Sequence, residues 1–305
     1  MIRRAGRRLL AALMLFALPL LPAAAEEGLT TISDDARYPE GPLVFDGTVW
    51  WVEMGADRVL RAGPDGPETM AALPGCGPTA LAPWRGSLLV LCHRNDRLLV
   101  LDGDGEPALV ADREADGRPL RRPNDAVVDG RGGVFLTSSG EFDRDRQPAG
   151  AILHLDAGGR LRRLADGIDY ANGITLSADG RALYVSAHLG HRVLSYPVRP
   201  NFSLGPPAVF HDLDANGTPP GDSGLAGPDG LELDAAGNLW IAEYGAGRLL
   251  VVGPDGRLRR VVPLPLRWVT NLARGEHGGF WITAPASSVS PNRAGRVWRL
   301  APPPE

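Results

Sequence analysis

Apolar residues along this chain come in short runs, at positions 49–52, 88–91, 133–136, 183–185, 239–242 and 280–283. Val, Leu, Ile, Trp and Tyr dominate these runs, and clusters of Gly, Pro, Asp and Asn separate them. Helical periodicity is nearly absent after the first 25 residues. Short β-branched and aromatic runs between turn residues predict many short strands and an all-β protein. The abundant Gly and Pro agree, because tight turns need a positive or a pre-set φ.

The runs belong to a longer repeat. A first strand ends in a turn such as Asp46-Gly47, Asp129-Gly130 or Asp179-Gly180, and a second strand follows. A tight segment and an arginine then open the third strand, at Arg58, Arg97, Arg192 and Arg248. A Gly-rich turn, as in Gly63-Pro64-Asp65-Gly66, leads to a fourth strand at 161–164 and 258–262. Four strands in roughly 40–55 residues define a propeller blade. Six first strands, near Gly41, Pro78, Asn124, Gly173, Gly230 and Asn271, predict a six-bladed β-propeller. The last repeat lacks a fourth strand, so residues 29–33 are expected to supply it and close the ring. A jelly roll or paired sandwich would not produce this register.

Outside the repeat, Arg3, Arg4, Arg7 and Arg8 precede an apolar run over 9–21 and the small residues Ala23-Ala24-Ala25. This reads as a signal peptide over 1–25, leaving 26–305 as a propeller that is periplasmic or secreted. Removing the leader arginines leaves 28 basic residues against 36 acidic ones, a net charge of −8. An acidic domain without a basic tract does not suit nucleic acid or an anionic membrane, and a monomer is expected. The chain contains no lysine, which excludes Schiff-base chemistry and a P-loop. Cys76 and Cys92 suit an oxidising compartment. If 79–82 and 88–92 form a hairpin around residues 83–86, residue 77 lies near residue 92 and the two cysteines come within disulfide reach.

Aligned on their first strands, four repeats place an oxygen-bearing side chain at one position: Glu40, Asn124, Asn172 and Asp229. Asn or Asp before Gly is commonly a turn former, so any one alone carries little. The innermost strands of a propeller line its channel, however, so four in one register converge. Two carboxylates and two carboxamides suit a hard cation, Ca²⁺ foremost, with Zn²⁺, Mn²⁺ or Mg²⁺ as alternatives. His93 and His188 share a repeat position after the second strand, within reach of the channel mouth or simply satisfied in loops.

Tyr38-Pro39-Glu40-Gly41-Pro42, Arg122-Pro123-Asn124-Asp125, Ala171-Asn172-Gly173 and Pro228-Asp229-Gly230 resemble the signatures of the senescence marker protein-30/gluconolactonase/luciferin-regenerating family. That resemblance implies metal ligation by Glu40, Asn172 and Asp229, with Asn124 as ligand or substrate contact and Arg122 as a substrate contact. It also implies hydrolysis of a lactone. For that chemistry Asp229 is the first choice of general base, and His93 and His188, from their repeat position, are further substrate-binding candidates. An esterase or phosphotriesterase on the same frame, or a non-catalytic ligand-binding propeller, are the alternatives. The polar insertion from Ser139 to Arg146 has no residue-by-residue match to the sugar lactonases, which leaves the substrate open. Gly221-Asp222-Ser223-Gly224 evokes a serine nucleophile but sits in a Pro/Gly-rich connection without partners. The arginines of 160–163 and 257–260 are expected to be solvated charge on outer strands.

Overall fold

The computed structural model describes residues 28–102, 106–216, 225–276 and 278–302. Residues 1–25, expected to be a signal peptide, and the segment Gly221-Asp222-Ser223-Gly224 lie outside the described residues. Twenty-four strands form six four-stranded antiparallel sheets. The innermost strands are Pro39–Phe45, Pro78–Trp84, Pro123–Val128, Ala171–Leu176, Gly227–Leu233 and Asn271–Arg274, each touching the next and the last touching the first. This is a six-bladed propeller. In five blades the strands lie in chain order; in the sixth, Leu29–Arg37 pairs antiparallel with Ala294–Leu300 as the outermost strand.

The apolar runs of the second strands are continuous because both faces of every blade are covered. Leu89 and Leu91 point toward the third blade, into a cluster with Val134, Leu136 and Leu153. Val90 and Cys92, on the opposite face, join Val52, Val59 and Leu81 against the first blade. Successive strand residues point to opposite faces, so one run feeds two interfaces. Six clusters of this kind occur among the described residues, one at each junction between neighbouring blades. The core is therefore a ring of interfaces around a channel.

The arginine of the repeat has a structural role in two blades. Arg58 opens a third strand opposite Glu53, and Arg248 opens another opposite Glu243, both glutamates being buried. Each pair is a close ion pair across adjacent strands. A buried carboxylate demands such a partner.

The second blade is tighter than expected. Its first strand extends through Pro83 and Trp84, and the turn reduces to Arg85-Gly86, both with positive φ. Two-residue turns with that backbone match the twist of a hairpin. Pro83 is tolerated because the strand is the edge of its sheet. Cys92 consequently pairs with Pro78, not residue 77, and the Cys76–Cys92 disulfide is formed. Arg163 departs from the solvated reading of its tract: it is largely covered and forms a close ion pair with the buried Glu114.

Candidate functional site at the channel mouth

Four of the six inner strands enter the channel through a kink. Tyr38, Gly77, Arg122 and Tyr170 have φ of 50°, 53°, 43° and 58°, and each stands two residues before a channel-facing position. In three of the four the residue is not glycine, a conformation that surrounding contacts must enforce. Arg122, for example, donates its backbone N–H to Asp96 at 2.7 Å and accepts one at its carbonyl from Ser139. At the channel-facing positions, the first five inner strands break register with their neighbours, between Glu40 and Leu43, Pro78 and Ala80, Pro123 and Ala126, Ala171 and Ile174, and Pro228 and Leu231. Bulges of this kind re-aim side chains, and here they accompany Glu40, Thr79, Asn124, Asn172 and Asp229.

All five of these residues line one cavity of about 280 Å³ at the mouth of the channel. The sequence register is thus realised in space, with Thr79 completing it in the second blade. The position after each is just as constrained. A Cβ on Gly41 would lie 2.4 Å from the Thr79 carbonyl oxygen, and one on Gly173 2.1 Å from that of Asp229. Glycine there permits close strand approach. In the third blade the same position holds Asp125, and in the sixth Asn271. Both are buried, and their side chains are hydrogen-bonded to each other across the channel. Asp125 also accepts backbone N–H groups from Ala126 at 2.9 Å and Ile174 at 3.1 Å. Sequence reasoning passed over Asp125; the available signal was an acid where neighbouring repeats carry glycine.

The electrostatics of the site are one-sided. Burial, then Asp229 and Asp125, push the Glu40 carboxyl well above its ordinary range. Burial and Asp125 do the same to Asp229, opposed by a hydrogen bond from the Asn172 side chain. Burial raises Asp125 to about 7. No arginine pairs with any of these three acids among the described residues. One buried and one half-buried carboxylate with two carboxamides, and no cation beside them among the described residues, are a donor set that a divalent cation would satisfy. Counting only His, Cys, Asp and Glu, no group of three converges as a metal set among the described residues. The fit therefore depends on the carboxamide oxygens of Asn124 and Asn172.

Around these residues stand clamps and an aromatic wall. Thr137 donates to the Asn172 carbonyl at 2.6 Å, Ser139 to that of Ala171 at 2.8 Å, and Ser186 to that of Asp229 at 2.7 Å. Each hydroxyl belongs to the preceding blade, so the backbone at each functional position is fixed by its neighbour. His93 and His188 serve the same end: each Nδ1 lies close to the proline carbonyl of the next blade, Pro123 at 3.2 Å and Pro228 at 3.1 Å. Both line the cavity, and burial above all lowers each to a pKa of about 4, while the His188 Nε2 also lies 3.1 Å from the Leu225 carbonyl. Tyr38 and Tyr244 share a hydroxyl–hydroxyl hydrogen bond of 2.9 Å, and burial first, with neighbouring acids, raises both phenols. Phe142, from the insertion in the third blade, packs edge-on to Tyr170 at 4.9 Å and against His188. Sequence reading saw this insertion as polar and missed its one aromatic. Arg122 does not line the cavity; it stands in an adjoining groove, 3.1 Å from Glu141.

A propeller with an acid-and-amide ring lining its central cavity defines a class, and the chain's relatives define it further. Residues 38–286 match the SMP-30/gluconolactonase/LRE-like family, to which the chain belongs. It is 29% identical over 236 residues, 76% of both chains, to a 6-deoxy-6-sulfogluconolactonase of Pseudomonas putida. It is 25% identical to the regucalcin of Xenopus laevis, covering 83% of this chain and 85% of that one. Among solved structures, a gluconolactonase of Xanthomonas campestris superposes with a TM-score of 0.74 at 25% identity, over 90% and 89% of the two chains.

Proposed function

We propose that this protein hydrolyses lactones at a divalent cation, Ca²⁺ first among the candidates, held by Glu40, Asn124, Asn172 and Asp229. The observation that carries the reading is the convergence of these four side chains on one cavity, with no cation beside the acids among the described residues. Lactone hydrolysis is supported by relatives named as lactonases, and a divalent cation by the kinship to a regucalcin. Bound at that site, a hard cation supplies positive charge that polarises an ester carbonyl and eases deprotonation of a nearby water.

The chain's own residues divide the remaining work. Asp229 accepts the proton of the attacking water at a carboxylate oxygen, the role of a general base. Asn172 holds that carboxylate through its side-chain hydrogen bond. Glu40 contributes charge, and Ser186 fixes the backbone from which Asp229 projects. Tyr38 and Tyr244 keep neutral hydroxyls at the mouth, suited to a hydroxylated ring, while Phe142 and Tyr170 narrow it against bulk water. Arg122 contacts the substrate from the adjoining groove.

The test is hydrolysis of a lactone panel, from gluconolactone to aliphatic and aromatic lactones, by the protein lacking its leader. Chelation should abolish turnover, and one of Ca²⁺, Zn²⁺, Mn²⁺ or Mg²⁺ should restore it. Asp229→Ala should lower kcat by about 10²-fold or more, the usual contribution of a general base. Turnover indifferent to both chelator and Asp229→Ala would sink the proposal. We further propose export, with cleavage before Glu26; mass spectrometry of the secreted or periplasmic protein should find that N-terminus.

A further inference from the structure

A second cavity, of about 540 Å³, adjoins the first and shares Met54 and His93 with it. It opens between the second and third blades. Its wall carries four guanidinium groups, Arg94, Arg121, Arg122 and Arg163, against two carboxylates, Asp96 and Glu141. The acids that hold two of these cations are not part of the wall. Glu114, buried, takes Arg163, and Asp57 takes Arg94 at 2.8 Å. Those guanidinium groups are fixed from behind.

The other two are lightly held. Arg121 pairs with Asp96 at 3.2 Å and Arg122 with Glu141 at 3.1 Å, with arginine side chains 67% and 41% exposed. Exposed pairs contribute little to stability, so an incoming anion can take over either guanidinium at small cost. An excess of cations is notable in a chain of net charge −4, and more so beside a cavity lined by Glu40 and Asp229. Opposite polarities in two adjoining cavities would orient a ligand that is itself charged at one end.

We propose that this groove binds an anionic group carried by the substrate away from its scissile ester, so that Arg121, with Arg94, selects acidic lactones over neutral ones. The proposal rests on the lactonase reading. Carboxylate, sulfonate and phosphate share the chemistry required, two or more acceptor oxygens that meet the planar guanidinium fork. Arg163 and Arg94 provide fixed charge, and Arg121 the adaptable contact.

The experiment compares kcat/KM for an aldonolactone ending in a neutral hydroxymethyl group with counterparts ending in carboxylate, sulfonate or phosphate. We expect the wild type to prefer at least one acidic form by about tenfold, the size of one charge-assisted hydrogen bond, mainly through KM. Arg121→Gln should remove most of that preference and Arg121→Glu should reverse it, while turnover of the neutral lactone is unchanged. Equal kcat/KM for neutral and acidic forms would overturn the proposal, as would an equal loss on both in Arg121→Gln. A second arm needs no hydrolysis: thermal stabilisation by gluconate against 6-phosphogluconate and 6-sulfogluconate, in wild type and Arg121→Glu. A larger shift with a doubly charged acid, lost in the variant, supports the groove even if no lactone is turned over. Equal shifts count against it even if lactones are.

Discussion

At the scale of the residue, the site is held by groups that never face the substrate. Ser186 is fully buried, and its hydroxyl serves the Asp229 carbonyl. Ser186→Ala should cost about 1 kcal/mol in urea unfolding, the usual value of one hydrogen bond. It should weaken activating-metal affinity by about tenfold, as loss of an outer support does. A metal titration unchanged by the substitution would show that the clamp is only structural.

A second residue-scale case lies outside the cavity. Asp129 and His154 form a buried pair at 2.8 Å, and Asp129 also accepts the backbone N–H groups of Arg131 and Gly133. Burial alone would raise this carboxyl; the hydrogen bonds from His154 and the backbone outweigh it and the net shift is downward. A carboxyl depressed in the folded state adds stability above its unfolded pKa of about 3.9. That contribution is lost as pH falls through the lower folded value. The stability gap between wild type and Asp129→Asn should thus be about 2 kcal/mol near neutrality and shrink below about pH 4. A gap constant between pH 7 and 3 would refute this account.

At the scale of the element, the inner strands and the turns that end them depend on glycine for two separate reasons. Gly173 lacks space: an added Cβ would meet the Asp229 carbonyl oxygen at 2.1 Å. Gly180 has open space but a φ of +69°. Gly180→Ala should therefore cost only about 1 kcal/mol, the strain of a left-handed alanine. Gly173→Ala should cost several kcal/mol, about 4 or more, because two strands must separate. Thermal or urea unfolding of both variants provides the comparison. The element scale also separates what was readable from what was not. The second strands were plain in the sequence because two covered faces leave an unbroken apolar run. The kinks and bulges were not, since Tyr38, Arg122 and Tyr170 adopt positive φ without being glycine. Only contacts with neighbouring blades enforce that geometry.

At the scale of the whole molecule, the chain's two ends share one blade. Ala36 packs with Val297, Trp51 and Leu60 at the junction of the sixth and first blades. We infer that the strand Leu29–Arg37 acts as a clasp. Removing residues 28–37 should bare the Ala294–Leu300 edge, lower Tm by about 5 °C or more and expose a pairing edge prone to association. Scanning calorimetry and light scattering would report both, and an unchanged Tm would exclude the clasp. The Cys76–Cys92 bond closes a loop of 16 residues within the second blade, so its reduction should cost about 3 kcal/mol.

The sequence by itself determined the blade repeat, the six first strands and the register that brings Glu40, Asn124, Asn172 and Asp229 together. Each follows from local periodicity and turn chemistry, which neighbouring residues encode. Tertiary structure alone decided that Asp125 and Asn271 meet across the channel and that Phe142 covers its mouth. It also moved Arg122 off the cavity wall and drew Arg163 from its apparently solvated tract to Glu114. These features join residues on different blades or distant strands, and the distance between them depends on how the sheets pack, which no local pattern records.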